Sequence, residues 1–438
     1  MHRLQFLSLC ALALLGCAAP AVAQILPPVQ LPNLPALPTD ELNRTVNGTL
    51  RATDPQQLRE LRRLRIRELL RTNRTTLEAD PRGAPMLRSE VVALSPSQAA
   101  LDLARAEGFG VGRTRTLEGL DATVVVLQAP AGMSTRRALQ RLRQLDPGGT
   151  YDFNHVYLRS GAVAEGAVAT STPVAAESLA PLKGARVGLI DGGVQRSHPV
   201  FRDVPIHEHG CAGTGVPSEH GTAVASLLVG HAEHFNGVAV GAELYAADVY
   251  CGLDTGGAVD GVADAFAWLS RERVPVINIS LVGPANGLLE QVIRIVTARG
   301  HIVVAAVGND GPGAPPLYPA AYPAVVAVTA VDSQRRVLIE ACRGKHVDFA
   351  APGADMAAAG LDTGFALVRG TSFAAPIAAG LFVRQLTQLD RAHAEAALAA
   401  LTSQAIDLGA RGPDKVYGNG LVGDTLRPPP ELAKVSAR

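Results

Sequence analysis

An aspartate, a histidine and a serine stand far apart in this chain, each in a short segment suited to one task. Asp191 ends the run Gly188-Leu189-Ile190 and is followed by Gly192-Gly193. His220 opens His220-Gly221-Thr222-Ala223-Val224-Ala225, and Ser372 lies in Gly370-Thr371-Ser372-Phe373-Ala374-Ala375-Pro376. A serine hydroxyl is a poor nucleophile at neutral pH. It needs a base beside it, a group that orients the base, and donors for the oxyanion of the attacked carbonyl. Ser372, His220 and Asp191 supply nucleophile, base and orienter. Singly, each residue type is ordinary. Three suited segments in the order Asp, His, Ser point to one of the known routes to this constellation.

The elements that must hold these residues alternate between strands and helices. Arg186–Ile190, Leu244–Val249, Val276–Ser280, Ile302–Val307 and Val325–Ala330 read as apolar strands. His220–Val229, Ala258–Ser270 and Leu288–Arg299 read as the helices between them, followed by one starting at Ser372 and one over His393–Leu401. This alternation predicts an α/β fold with a mostly parallel sheet between helices. Its site should lie at the carboxyl ends of the strands, where Asp191 and Asn309 fall. Pro376 fits the first turn of its helix, where its missing N–H has no intrahelical acceptor to lose.

Residues 89–160 read as a smaller α+β domain. Glu90–Leu94 is a strand, Ser95 an N-cap with Pro96 at the first helical position, and Gly108 a helix end. Thr114–Leu120 and Asp121–Gln128 are strands, Ser134 caps a helix bearing Leu139, Leu142 and Leu145, and Tyr151–Leu158 is a last strand. The βαββαβ order is that of a ferredoxin-like fold. Residues 161–182 begin with a stretch rich in Ala, Gly, Ser and Thr without apolar periodicity, a linker.

The three motifs closely resemble those of the subtilisin-like serine proteases, the subtilases. The likeness covers residues 183–424 and continues through Asp407-Leu408-Gly409, Pro413-Asp414 and Tyr417-Gly418-Asn419-Gly420-Leu421-Val422. It implies a peptidase domain over 183–438, a serine endopeptidase acting on proteins or peptides, and an inhibitory propeptide domain over 89–160 cut within the linker. Ala305-Ala306-Val307-Gly308-Asn309-Asp310-Gly311 is similar to the family's oxyanion segment, which makes Asn309 a donor beside the Ser372 backbone N–H. Val276–Gly283 is similar to the strand lining the family's cleft, so Ser280, Leu281, Val282 and Gly283 would pair with an extended substrate. Three departures stand out. Val282 replaces the usual Gly, and Leu317 occupies an often small position on the floor of the first pocket. Both would narrow that pocket towards Ala, Ser or Val before the scissile bond, residues like Ser160, Ala162 and Ala164. Gly192 stands where most subtilases have Ser or Thr.

The remaining features bound the setting. His2 and Arg3, the apolar run Leu4–Leu15 and Ala21-Val22-Ala23 read as a signal peptide over 1–23 and predict a secreted or periplasmic protein. Leu14-Leu15-Gly16-Cys17 offers the competing reading, an envelope protein lipid-anchored at Cys17, the one route to membrane association. Residues 24–88 hold a Pro-rich tether and a helix with Leu58, Leu61, Leu64 and Leu69 on one face and Arg59, Arg62, Arg63, Arg65 and Arg67 on others. Net charge is zero, which gives no pull towards nucleic acid. Residues 24–160 carry 19 Arg against 14 Asp+Glu (+5), and residues 161–438 carry 20 Lys+Arg against 26 Asp+Glu (−6). Of the cysteines outside the signal region, Cys211, just before the catalytic His, and Cys251, at a strand end near the same cleft, are expected to bridge and leave Cys342 over. His207-Glu208-His209-Gly210-Cys211, with His231 and His234, shows metal-ligand residue types but no spacing that makes them converge, so no metal is assigned. No cofactor is required by the chemistry. Many subtilases bind calcium, but the loop Gly230–Val240 has no run of Asp or Asn to hold it. The competing function is a catalytically silent, protease-shaped binding scaffold. An esterase would need a G-x-S-x-G elbow, which Ser372 lacks.

Overall fold

The computed structural model describes residues 55–159, 161–164, 179–253 and 255–435. All belong to one compact unit, Thr45–Arg438. The signal segment with Cys10 and Cys17, the Pro-rich tether, Ser160 and the linker residues 165–178 lie outside the described residues. Among the described residues no helix is long and apolar enough to cross a membrane.

The N-terminal elements are α1 (Pro55–Thr72), β1 (Leu77–Ala79), β2 (Pro85–Leu94), α2 (Gln98–Ala106), β3 (Gly110–Leu117), β4 (Ala122–Gln128), α3 (Thr135–Leu145) and β5 (Thr150–Arg159). Four strands lie in the order β5-β2-β4-β3 with antiparallel neighbours. This is the ferredoxin-like arrangement expected from βαββαβ. β1 pairs with the start of β2, and Leu77 and Met86 are both buried. The small domain therefore begins near residue 77, not 89. Its first helix is capped by Ser97, whose side chain accepts the Ala100 N–H. Ser95, the expected cap, instead adopts φ +45° and its hydroxyl accepts the Thr123 N–H. Ser134 caps α3 as expected. Leu139 and Leu142 pack from α3 onto Val91, Ala93, Val125 and Leu127 of the sheet. Each such buried side chain stabilises the fold by about 1.5–3 kcal/mol.

The second part comprises β6 (Ala162–Ala164), β7 (Arg186–Asp191), β8 (Ile206–His209), α4 (Glu219–Val229), β9 (Glu243–Asp248), α5 (Val259–Arg271), β10 (Val276–Ile279), β11 (Leu281–Val282), α6 (Gly287–Ala298), β12 (Ile302–Ala306), β13 (Val326–Val331), β14 (Phe349–Pro352), β15 (Met356–Ala359), β16 (Phe365–Arg369), α7 (Thr371–Gln385) and α8 (Arg391–Gln404). Seven strands form a parallel sheet in the order β14-β13-β12-β10-β7-β9-β8. Alternate strand residues face opposite layers, as strand geometry requires. Val187, Leu189, Val304 and Val328 join α4 and α7 in one core. Ile190, Ile277, Ile279 and Val303 join α5 and α6 in the other.

β5 ties the two parts together. Its first half pairs with β2, Val156–Tyr157 pair with Gly257–Ala258, and Leu158–Arg159 pair antiparallel with β11. The small domain thus sends its last strand along the edge of the larger one.

Candidate active site

β7 ends on Asp191, fully buried at the carboxyl end of the sheet. α4 brings His220 in its first turn, fixed by Ser218, whose side chain accepts the Gly221 N–H at 3.0 Å. His220 Nδ1 lies 2.9 Å from both Asp191 carboxylate oxygens. A proton on Nδ1 would satisfy this contact, with Asp191 as its acceptor. Ser372 occupies the first turn of α7, whereas Pro376, expected in that turn, lies beyond it inside the helix, where its missing N–H leaves the Ser372 carbonyl to Ser280. Phe373, the residue after Ser372, packs its ring 5.4 Å from the His220 ring and ties the two helices together. Ser280 Oγ donates to the Ser372 carbonyl at 3.0 Å, and Ser372 Oγ donates to the Ser280 carbonyl at 3.4 Å.

Asn309 follows the end of β12. Its Oδ1 accepts the Thr371 N–H at 3.0 Å, and Thr371 Oγ1 accepts the Gly308 N–H at 3.1 Å. This interlock turns the Asn309 amide nitrogen towards the start of α7: a Cβ on Gly370 would sit 3.1 Å from it. Gly370 has φ +136° and no room for a side chain. Together with the positive end of α7, the amide nitrogen forms a donor group beside Ser372.

The cleft is occupied by the chain itself. Arg159 pairs with Leu281 on one side of Ser372, and Ala162 pairs with Arg369 on the other. Between them Gly161 lies so close that a Cβ on it would be 3.3 Å from Ser372 Cβ and 3.4 Å from its Oγ. Arg159 and Ala162 are thus each held by a strand pairing, with Gly161 against Ser372.

The family profile described as "Subtilase family" matches residues 182–420. The chain belongs to the subtilase family. It is 34% identical to the minor extracellular protease Epr of Bacillus subtilis over 211 residues, 46% of this chain and 32% of that protein. It is likewise 34% identical to subtilisin Savinase of Lederbergia lenta, over 45% of this chain and 74% of the relative. The chain spans only a third of the Epr protease and about half of the M-protease of Shouchella clausii. Fervidolysin of Fervidobacterium pennivorans, a keratinolytic enzyme related to subtilisin, shares the fold. Its TM-score is 0.64 at 19% identity, over 78% of this chain and 61% of the other.

The departures from the subtilase pattern have visible surroundings. A Cβ on Gly192 would lie 2.4 Å from Ser218 Oγ and 3.3 Å from Arg159 Nη2, so the cap of α4 and the cleft occupant fill the space a side chain would take. Val282 and Leu317 are both buried, and they converge with Cys342 on Gly308: a Cβ there would lie 3.5 Å from Val282 Cγ1, 2.5 Å from Leu317 Cδ1 and 3.5 Å from Cys342 Sγ. Gly283 exchanges backbone hydrogen bonds with Tyr318 and has no room for a side chain beside the Tyr157 ring. Cys211 and Cys251 form the expected disulfide. Cys342 remains a thiol, pushed up to about 12 by burial.

The histidine-rich segment does not converge. His207 pairs with Glu243 and stacks on Tyr245, while His209 pairs with Asp264 and stacks on Trp268. Among the described residues the only grouping of convergent ligand atoms is Cys211, Asp248 and Cys251, whose two sulfurs are already joined.

Sequence reasoning missed the role of α1. Leu58 is buried, but Leu64 is 48% exposed, so the expected leucine face is only partly used. Arginines dock the helix instead. Arg62 Nε lies 2.8 Å from Asp310, the residue after Asn309, and Arg59 donates to the Gly313 carbonyl. Burial raises the Asp310 carboxyl above its ordinary value despite Arg62. The signal was present as a run of arginines before an acidic domain, but its target was not.

Proposed function

We propose that this chain is an exported serine endopeptidase made as a self-processed precursor. The carrying observation is Gly161 held against Ser372 Oγ between two strand pairings, beside the 2.9 Å Asp191–His220 contact. Ser372 Oγ attacks the carbonyl of the residue before Gly161 while His220 Nε2 takes its proton. Asn309 and the Ser372 N–H receive the oxyanion. His220 then returns the proton to the leaving amine, and water attacks the acyl-enzyme by the same route reversed. Asp191 holds Nδ1–H throughout. These steps use the chain's own groups and no cofactor.

Processing falls after residue 160, with residues 77–160 as the inhibitory domain and α1 as an added cover. Val282, Leu317 and Cys342 crowd the pocket before the cut, which supports a preference for small residues such as Ala or Ser there. The Epr protease is named extracellular, which supports export, as does the N-terminal signal pattern.

Purified chain and its Ser372→Ala form are compared by N-terminal sequencing and by labelling with a fluorophosphonate. The native chain should show a new N-terminus at Gly161 and label. Ser372→Ala should remain uncut, unlabelled and at least ~10³-fold less active on peptides. Cleavage near residue 160 without labelling would favour a silent scaffold cut by another enzyme.

A further inference from the structure

The occupant of the cleft shows which side chain the subsite next to the catalytic pair accepts. Arg159 lies two residues before Gly161, opposite Leu281 in the cleft strand. Its guanidinium carbon sits 4.5 Å from the centroid of the Tyr250 ring. One of its terminal nitrogens reaches the bare face of Gly192, where a Cβ would be only 3.3 Å away. Gly192 and Ser218 are packed so closely that a side chain at 192 would have to displace the helix cap and press on the guanidinium.

We propose that this subtilase selects substrates with arginine as the second residue before the cut, recognised by the Tyr250 face and the space above Gly192. The inference rests on the endopeptidase reading and names its substrate class. Two features favour a planar cation. The Tyr250 ring is the contact that holds the guanidinium, while among the described residues the buried Arg159 Nε has no hydrogen-bond partner. Arginine stacks flat on such a face, whereas lysine presents a compact, strongly hydrated ammonium. Asp191, next in sequence to Gly192, and Arg159 both act electrostatically on Tyr250. Arg65 from α1 shares the electrostatic surroundings of Arg159 and Tyr250. Its positive charge opposes the chain's own arginine, so a substrate arginine bound after α1 has left meets less repulsion. The departure from Ser or Thr at 192 thus acquires a purpose: it opens a slot beside the catalytic carboxylate.

The test uses the full chain after it has processed itself. Four peptides carry Ser before the scissile bond and differ only at the preceding residue: Arg, Lys, Ala or Glu. The expected kcat/KM for Arg is about tenfold above Ala, with Lys between and Glu lowest. Tyr250→Leu should bring the Arg-to-Ala ratio to about one, while Tyr250→Phe, which keeps the ring, should retain it. Gly192→Ser should reduce the same ratio. Equal rates for Arg and Ala in the native enzyme, or a ratio that survives Tyr250→Leu, overturns the subsite. Absence of cleavage of all four together with no fluorophosphonate labelling overturns the endopeptidase reading itself, and the subsite with it.

Discussion

The two faces of the parallel sheet use helix starts for opposite purposes. On one face α4 and α7 begin at the carboxyl ends of the strands and carry His220 and Ser372 in their first turns. On the other face α5 and α6 begin near the same end, and their first turns receive side chains from the small domain. The first N–H groups of any helix lack intrahelical acceptors. α4 satisfies one with its own Ser218. α5 has Ala258 at its N-cap and no side-chain cap; Asn154 of the small domain accepts the Asp260 N–H instead. α6 caps itself with Asn286, and Asp152 of the small domain accepts the Gly287 N–H at 2.7 Å. The lesson is one of completeness. On the catalytic face Ser218 caps α4 and Asn309 accepts the Thr371 N–H at the start of α7, both from within the larger part of the chain. On the docking face α6 keeps its own Asn286, and α5 depends on Asn154 of the small domain for its side-chain acceptor.

The largest blow should come on the catalytic face. Asn309→Ala removes one oxyanion donor and should lower kcat by about 10²–10³, a range established on a subtilisin. KM should change little, because the lost bond strengthens in the transition state. An unchanged kcat on peptide substrates would remove Asn309 from the site. The docking face should respond differently. Arg113 of β3 pairs with Glu90 at 2.7 Å and with Asp260 at 2.8 Å, and Asp260 is 2% exposed. Removing one partner of a fully buried pair costs about 3–5 kcal/mol. Arg113 is a third exposed, and Asn154 and Arg115 still reach Asp260, so about 2 kcal/mol is expected for Arg113→Ala. The processed small domain should then inhibit about 30-fold less tightly, with kcat of the freed enzyme unaltered.

That contact also fixes a pH signature. Burial alone would raise the Asp260 carboxyl, but the hydrogen bonds and charge of Arg113 outweigh it and lower the value from 3.8 to about 2. A carboxylate depressed in the bound state contributes fully above its ordinary value and loses that contribution as pH falls towards 2. The penalty of Arg113→Ala should therefore be the same at pH 8 and pH 5. A penalty that vanishes between those values would show that another group holds the domain.

The catalytic face was also the more legible one in the sequence. Its residues sit in segments whose neighbours announce their geometry: an apolar strand before Asp191, a helix pattern after His220, a Gly-Thr turn before Ser372. The bridge between Cys211 and Cys251 was readable for a similar reason, since each lies beside an element end near the cleft. The docking face was not readable, because its partners are far apart in sequence and its clearest sign is an absence, the alanine at 258 where a cap should stand. β14 to β16 were missed because runs such as Ala350-Ala351 and Ala357–Ala359 carry little periodic contrast. The docking of α1 was half legible: the arginines and the acidic half of the chain were plain, but not that Arg59 and Arg62 meet the Gly313 carbonyl and Asp310, 254 and 248 residues away.

The smallest expected effect separates the two docking helices from each other. Asp152→Ala removes one acceptor from the start of α6, which keeps Asn286 as its own cap. A single cap is worth about 1 kcal/mol, so inhibition by the processed small domain should weaken only about fivefold. Asn154→Ala acts on α5, which has no cap in reserve, and also frees Glu90 and Asp260 from the Asn154 amide. It should fall between Asp152→Ala and Arg113→Ala. Titrating the freed enzyme with each variant small domain gives the order directly. If Asp152→Ala proved the most damaging, self-capping would not be what distinguishes α6 from α5, and the docking face would owe its affinity to the strand pairing of β5 rather than to unfinished helix starts.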